Sequence, residues 1–254
     1  MVTHASIVFF CRGRLWSGCH GQNARRCNHS DNSPKDPRFL DLPNLVGWFS
    51  QNALAAHPKL HGIPIGLNGA DVGRMKMILD RCQHLTAPIR VRKTLLFINF
   101  GLGPTERNEV FWNVHRWASF AHIAWPRSAD VRCPECKVLL QKSNRINSFA
   151  EYLTALAESS FTFSPPGSGW DCYRTWEALY LGSVPILLRT GTPFDDMYAD
   201  LPVLFVDSYQ DVTKSMLLAA LTRFQSANFN WEKITARYWR GQIERTAAEW
   251  ARGR

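Results

Sequence analysis

The chain has no apolar run approaching the roughly 20 residues that a membrane-spanning helix needs. Its apolar opening stretch, Ile7 to Cys11, is followed directly by Arg12 and Arg14. That stretch is also shorter than the ~7–15-residue apolar core of a signal peptide, so a secretory protein of this sequence would need a targeting segment from elsewhere. Charge of one sign is nowhere concentrated. The 30 Lys and Arg against 21 Asp and Glu give a formal charge of +9, yet no basic cluster exceeds Arg25-Arg26 or Arg90-Val-Arg-Lys93. Dispersed charge belongs to a solvated surface and speaks against nucleic acid, while the basic balance favours anionic ligands such as nucleotide phosphates or sulfated glycans.

Paired zinc ligands are also missing. Cys11, Cys19 and Cys27 recur at intervals that match no common zinc pattern, and Cys133-Pro-Glu-Cys136 has no second pair at a zinc-finger distance. A surface-loop pair or a local disulfide is expected there, with metal binding the alternative. No G-x-x-x-x-G-K-[ST] occurs, and Gly167-Ser-Gly169 is not completed to G-x-G-x-x-G because position 172 is Cys. Both absences speak against a P-loop kinase or a dinucleotide dehydrogenase. There is no Asp-x-Asp either: Asp195 and Asp196 are adjacent and are expected to open a helix after Thr192-Pro193.

What is present suits a soluble globular protein: 45% of residues are hydrophobic and 20% charged, enough apolar material for a real core. Residues 12–43 are rich in turn formers and are expected as a loop or disordered insert, after a short strand at Ser6–Cys11. Apolar runs at 44–50 and 63–67 predict strands, and the spacing of Val72, Met75, Ile78, Leu79 and Cys82 predicts a helix over 71–82. From Lys93 onward apolar strands at 94–100, 161–164, 184–188 and 203–206 alternate with helices beginning near Thr105, Ser148, Asp171 and Val212. Thr105 is expected as a cap, with Val110, Phe111, Val114 and Trp117 inward. An amphipathic segment, 231–250, closes the chain. This alternation predicts an α/β fold whose second half, 93–250, is a doubly wound parallel sheet.

The densest chemistry lies between Phe161 and Pro185. A strand emerges at Ser164 and two prolines stop it. Gly167 and Gly169 then permit backbone N–H groups to approach an anion, and a helix N-terminus follows within a few residues. At 100° per residue Asp171, Arg174, Glu177 and Ala178 fall on one side, with Tyr173, Trp176 and Tyr180 on the core side. Arg174 is placed to reach a diphosphate bidentately and Glu177 to accept ribose hydroxyls. The same Arg and Glu also make an ordinary pair along a helix, worth only about 0.2–0.5 kcal/mol.

The run Ser164-Pro-Pro-Gly followed by Asp171-Cys-Tyr-Arg-Thr-Trp-Glu-Ala-Leu-Tyr-Leu-Gly-Ser-Val-Pro-Ile186 resembles the signature of exostosin-like glycosyltransferases, in particular a branch common in algae and large viruses. Trp48-Phe-Ser-Gln-Asn52, His57-Pro-Lys59, Ile63-Pro-Ile-Gly-Leu-Asn68, Leu96-Phe-Ile-Asn-Phe100 with Glu106-Arg107, Leu201-Pro-Val-Leu204 and Tyr238-Trp239 fit the same branch. Ser168 departs from it, standing where Asn is usual. The resemblance implies a GT-B-like architecture: a Rossmann-like nucleotide-sugar-binding domain at 93–250, a partial or shortened acceptor-side α/β region at 44–92, and an irregular stretch at 1–43. It implies a metal-independent transferase using a sugar nucleotide, usually a UDP-sugar, and a glycan or glycoprotein acceptor, in the Golgi. By the same resemblance Ser164, Gly167, Ser168, Gly169, Arg174 and Glu177 form the donor site. Arg107, Trp170 and Asp171 are further possible donor contacts.

No metal ligands and no cofactor beyond the donor are expected. The departing diphosphate needs dipoles or cations aimed at it, supplied here by a helix N-terminus and basic side chains. An inverting enzyme also needs a general base, for which His57, Glu106 and Asp71 are weak candidates. The rival class is a module that binds nucleotide or anionic glycan and transfers nothing.

Overall fold

The computed structural model describes residues 6–9, 37–82, 89–101, 103, 105–126 and 144–252. Of the loop expected at 12–43, residues 12–36 lie outside these residues, as do the cysteines at 11, 19, 27, 133 and 136, and residues 37–43 hold one short helical turn, Pro37–Phe39. Among the described residues nine strands form two parallel sheets. The smaller holds β1 (Ser6–Phe9), β2 (Leu45–Ser50) and β3 (Leu60–Gly62), paired in that order. The larger is built from β4 (Thr94–Ile98), β5 (Ala121–Pro126), β6 (Asn144–Ile146), β7 (Ser159–Phe163), β8 (Val184–Leu188) and β9 (Leu204–Val206). Its order is β6-β5-β4-β7-β8-β9 and every pairing is parallel. Counted from β4, that is 3-2-1-4-5-6, the order of a Rossmann sheet. Its ligand crevice lies where the order reverses, at the carboxyl ends of β4 and β7.

Among the described residues seven α-helices accompany the sheets: α1 (Val72–Leu79), α2 (Thr105–Trp112), α3 (Phe149–Ala157), α4 (Tyr173–Leu181), α5 (Pro193–Met197), α6 (Lys214–Gln225) and α7 (Ala236–Arg252). Local chemistry sets their ends. Asp71, Ser148, Thr192 and Thr213 each accept a first-turn N–H at the start of α1, α3, α5 and α6, and Pro193 opens α5 with its ring angle already helical. Gly182 closes α4 in the left-handed conformation, φ 70°.

Because side chains alternate along a strand, the large sheet buries two faces. Leu96, Ile98, Phe161, Phe163, Val184 and Ile186 pack against Val110, Phe111 and Trp117 from α2 and its following turn, and against Leu217, Leu221 and Phe224 of α6. Phe97 and Ala124 point the other way, onto Tyr152, Leu153 and Leu156 of α3 and Ala178 of α4. A third cluster joins Trp176 and Leu179 to Phe194, Met197 and Tyr198, with Leu54, Ile65 and Leu67 packed on it. The small sheet is thus held against the large one. α5 lies on β3, where a Cβ at Gly62 would come within 2.8 Å of the Pro193 carbonyl oxygen, and α7 returns to β2.

Several expectations change. The strand predicted at 63–67 is absent from those positions. Strand β3 ends at Gly62, because Pro64 has no N–H to donate and Gly66 adopts φ 66°. Strands β5 and β6 fall in sequence expected as a loop; β5 is interrupted by His122 and ends on a proline, and β6 is only 3 residues long. Thr105 is the first residue of α2 rather than its cap. Tyr173 and Tyr180 are half-buried, and the buried side chains of α4 are Thr175, Trp176, Ala178, Leu179 and Leu181. Among the described residues no helix is long and apolar enough to cross a membrane.

Candidate functional site

The two loops that leave β4 and β7 meet at the reversal of strand order. Beyond β7, Ser164 N–H still donates to Ile186 C=O at 3.1 Å, and its buried hydroxyl is 2.8 Å from that of Thr175. Ser164 therefore ties the strand end to α4. The loop then turns on itself through Gly167 N–H to Gly169 C=O, 2.9 Å.

Both glycines admit a side chain from elsewhere. A Cβ at Gly167 would sit 2.4 Å from Nη2 of Arg107, and one at Gly169 would sit 2.6 Å from Nδ2 of Asn52. Arg107, on α2, donates Nε to the Pro166 carbonyl at 2.8 Å and Nη1 to the Gly101 carbonyl at 3.2 Å, stitching the two loops together. Burial lowers its pKa, and the neighbouring Arg174 lowers it further. Asn52, just beyond β2, holds φ 54° and accepts the Asp171 N–H on Oδ1 at 2.7 Å.

Asp171 lies on the opposite side of the loop from where helical spacing put it. It precedes α4, and its enclosed carboxylate accepts Trp176 Nε1–H and Tyr198 O–H, both at 2.7 Å, together with the Ile65 N–H. Burial outweighs these donors and raises its pKa to about 6. Its neighbour Cys172 occupies the N-cap of α4, but its side chain makes no cap hydrogen bond. The thiol instead lies 3.6 Å from the Pro165 and Gly169 carbonyls, and burial pushes its pKa up against the pull of Arg174 and Arg107.

Arg174 stands in the first turn of α4. Its Nε and Nη1 are buried and have no hydrogen-bond partner among the described residues; the guanidinium lies over the Phe100 ring at 5.8 Å. Tyr209, in the turn after β9, presents a second such group. Its hydroxyl is buried without a partner among the described residues, in a setting shared with Cys172, Arg174, Glu106 and Arg107. Among the described residues neither Arg107 nor Arg174 joins an ion pair with a carboxylate. Two adjacent guanidinium groups and a helix N-terminus without a side-chain cap form a positive concavity whose repulsion an anion relieves.

Glu177, one turn along α4, accepts Tyr152 O–H on Oε2 at 2.7 Å, and Oε1 has no hydrogen bond among the described residues. Burial raises the Glu177 pKa, opposed by Tyr152, Arg174 and Arg74. Ser168 is exposed, and Trp170 is half-buried edge-on to Phe194 with ring centroids 6.1 Å apart. Glu106 is half-buried on α2, near Tyr209. His57 lies in the turn before β3, with Nε2 3.2 Å from Asp41 Oδ1 and Nδ1 accepting the Lys59 N–H at 3.1 Å, so both ring nitrogens are engaged. Asp71 caps α1 and pairs with Arg74 at 3.0 Å. Among the described residues no group of three or more His, Cys, Asp and Glu side chains is arranged to hold a metal ion. Asn52, Tyr152 and Tyr209 were not expected here. Asn52 did fall in one of the runs that carried the resemblance, whereas nothing around Tyr209 sets it apart.

The class defined by this geometry is an α/β protein whose larger parallel sheet has the Rossmann strand order, with two guanidinium groups and a helix N-terminus at its reversal point. Residues 132–228 match the family described as the RXYLT1 C-terminal domain, an exostosin-like xylosyltransferase family, which bears out the resemblance to exostosin-like glycosyltransferases over that stretch. No curated protein sequence matches. Among solved structures the chain is similar to a UDP-forming alpha,alpha-trehalose-phosphate synthase from Burkholderia xenovorans in complex with glucose-6-phosphate. Identity is 12% and the TM-score 0.35, over 74% of this chain and 49% of that one. It is also similar to alpha,alpha-trehalose 6-phosphate synthase from Burkholderia multivorans, at 15% identity and a TM-score of 0.35 over 74% of this chain and 47% of that one. The chain spans about half the length of both.

Proposed function

We propose that this protein is a glycosyltransferase that binds a nucleoside diphosphate sugar, a UDP-sugar in first place, at the carboxyl ends of β4 and β7. The observation that carries this reading is the Arg174 guanidinium: its Nε and Nη1 are buried without a hydrogen-bond partner among the described residues, and it is set in the first turn of α4. A buried cation without a partner is costly, and a diphosphate placed there supplies the missing acceptors. Glu177, with Oε1 free of hydrogen bonds among the described residues, takes the ribose hydroxyls.

In the transfer the bond between the anomeric carbon and the diphosphate oxygen breaks, and an acceptor hydroxyl attacks that carbon. Negative charge grows on the departing diphosphate, where Arg174 and the amides of α4 stabilise it with no metal ion required. Glu106, a carboxylate near Tyr209 in this cluster, is a candidate for receiving the acceptor proton. A glycan or glycoprotein acceptor and a place in the secretory pathway are proposed from the family match alone.

Calorimetric titration of UDP, GDP and ADP into the wild type, Arg174→Ala and Glu177→Ala tests the reading. A charge-assisted hydrogen bond contributes about 1.5–3 kcal/mol, so each substitution is expected to weaken UDP by roughly tenfold or more. Absence of nucleotide binding by folded wild-type protein refutes the donor site. Nucleotide binding without transfer or donor hydrolysis across an acceptor screen favours a binding module instead.

A further inference from the structure

Among the described residues, the loop that carries the donor site is held from the side of the small sheet by the side chain of Asn52, beside the Ile65 N–H that Asp171 accepts. Asn52 follows β2, lies 119 positions before Asp171 in sequence, and is buried. Its Oδ1 takes the Asp171 N–H at 2.7 Å, and its amide fills the space that a Cβ on Gly169 would occupy, 2.6 Å from Nδ2 and 2.9 Å from Oδ1. The φ of Gly169 is negative, so its backbone does not demand glycine; the Asn52 amide does. Asn52 itself holds φ 54°, a conformation rare for a side-chain-bearing residue and more tolerable for Asn than for most. A second tie from the same segment, Thr192 O–H to the Ala53 carbonyl at 3.2 Å, anchors the turn next to it.

We propose that Asn52 is a positioning residue for the donor site: through Gly169 and Asp171 it fixes the loop that presents Cys172 and the N-terminus of α4. The small sheet thereby sets nucleotide affinity without touching the nucleotide. This rests on the donor-site reading above and adds a coupling between the two sheets. The left-handed backbone at 52 is acceptable to glycine, so Asn52→Gly deletes the amide and keeps the turn. Gly169→Ala attacks the same contact from the opposite side. If the two residues act through one contact, the Asn52→Gly background must tolerate Gly169→Ala, because the atoms it collides with are gone.

Wild type, both single variants and the double variant are compared by two measurements. One is UDP titration; the other is the rate of Cys172 alkylation by iodoacetamide, read by peptide mass spectrometry. Each single substitution is expected to weaken UDP by about tenfold and to speed Cys172 labelling, and the second substitution is expected to add less than about twofold. Three results overturn the proposal: unchanged Cys172 labelling in Asn52→Gly, unchanged UDP affinity in that variant when the wild type binds UDP, or single effects that multiply in the double variant. If the wild type binds no nucleotide, the donor-site reading falls, while the labelling cycle still decides whether Asn52 holds the loop.

Discussion

Replacing Asp171 by Asn is expected to remove a pH dependence from the stability of this protein. The carboxylate is enclosed and receives three hydrogen bonds, from Trp176 Nε1, the Tyr198 hydroxyl and the Ile65 amide. Each donor favours the charged form, yet burial prevails and moves the pKa from 3.8 to about 6. A rise of about two units corresponds to about 3 kcal/mol. Because the folded-state value lies above the unfolded one, the native state binds the proton more tightly. The stability this group contributes is therefore fully present below about pH 4 and is lost as pH rises through about 6. Asn has nearly the same shape and cannot titrate, but its NH2 group must face a donor-only N–H, that of Trp176 or of Ile65, at a cost that does not vary with pH.

Urea unfolding of wild type and Asp171→Asn at pH 4, 5, 6 and 7 is the assay. The expected free-energy difference, wild type minus variant, falls by up to about 3 kcal/mol across that range, on top of a constant offset from the opposed amide. Burial also raises the Glu177 pKa, but Glu177 is present in both proteins and cancels in the difference. A difference that stays flat from pH 4 to pH 7 would refute the account of Asp171 as a carboxylate whose charge is costly to bury.

Gly167→Ala forces the Arg107 guanidinium off the Pro166 and Gly101 carbonyls, since the new Cβ lies 2.4 Å from Nη2. A loss of roughly 2 kcal/mol in urea unfolding is expected, and wild-type stability would contradict the contact. Tyr209→Phe removes a buried hydroxyl that has no partner among the described residues, so stability should rise by about 1 kcal/mol; a clear loss would show that the hydroxyl is satisfied in solution. Tyr152→Phe removes a donor that favours the charged form of Glu177, so the Glu177 pKa rises further. The acid limb of the pH profile of UDP affinity is expected to move to higher pH. An unmoved limb would mean that Glu177 ionisation does not govern binding.

Local chemistry was legible wherever a short window contains its own cause. The helix starts near Asp71 and Ser148 and after Thr192, the inward positions Val110, Phe111 and Trp117, and the strand-turn-helix around Ser164–Leu181 follow from periodicity and turn residues. The short edge strand β6 and the interrupted β5 lacked such a window, because their pairing is decided by neighbours distant in sequence. The apolar run at 63–67 misled for the converse reason. Its side chains do pack apolar surface, Ile65 and Leu67 among them, but against the cluster beside α4 rather than within a sheet.

The sequence by itself determined that this is an alternating α/β chain with a glycine turn leading into a helix that begins with Arg and carries Glu one turn on, because spacing along one segment suffices for that. Only the tertiary structure decided the strand order that puts the β4 and β7 ends together. Only it set Arg107 and Asn52 against the two glycines, brought Tyr198 and Ile65 onto Asp171, and left Arg174 Nε and Nη1 and the Tyr209 hydroxyl without hydrogen-bond partners among the described residues. The contacts of Arg107, Asn52, Tyr198 and Ile65 join residues tens to more than a hundred positions apart. A local window holds one partner of each, and chain folding supplies the other.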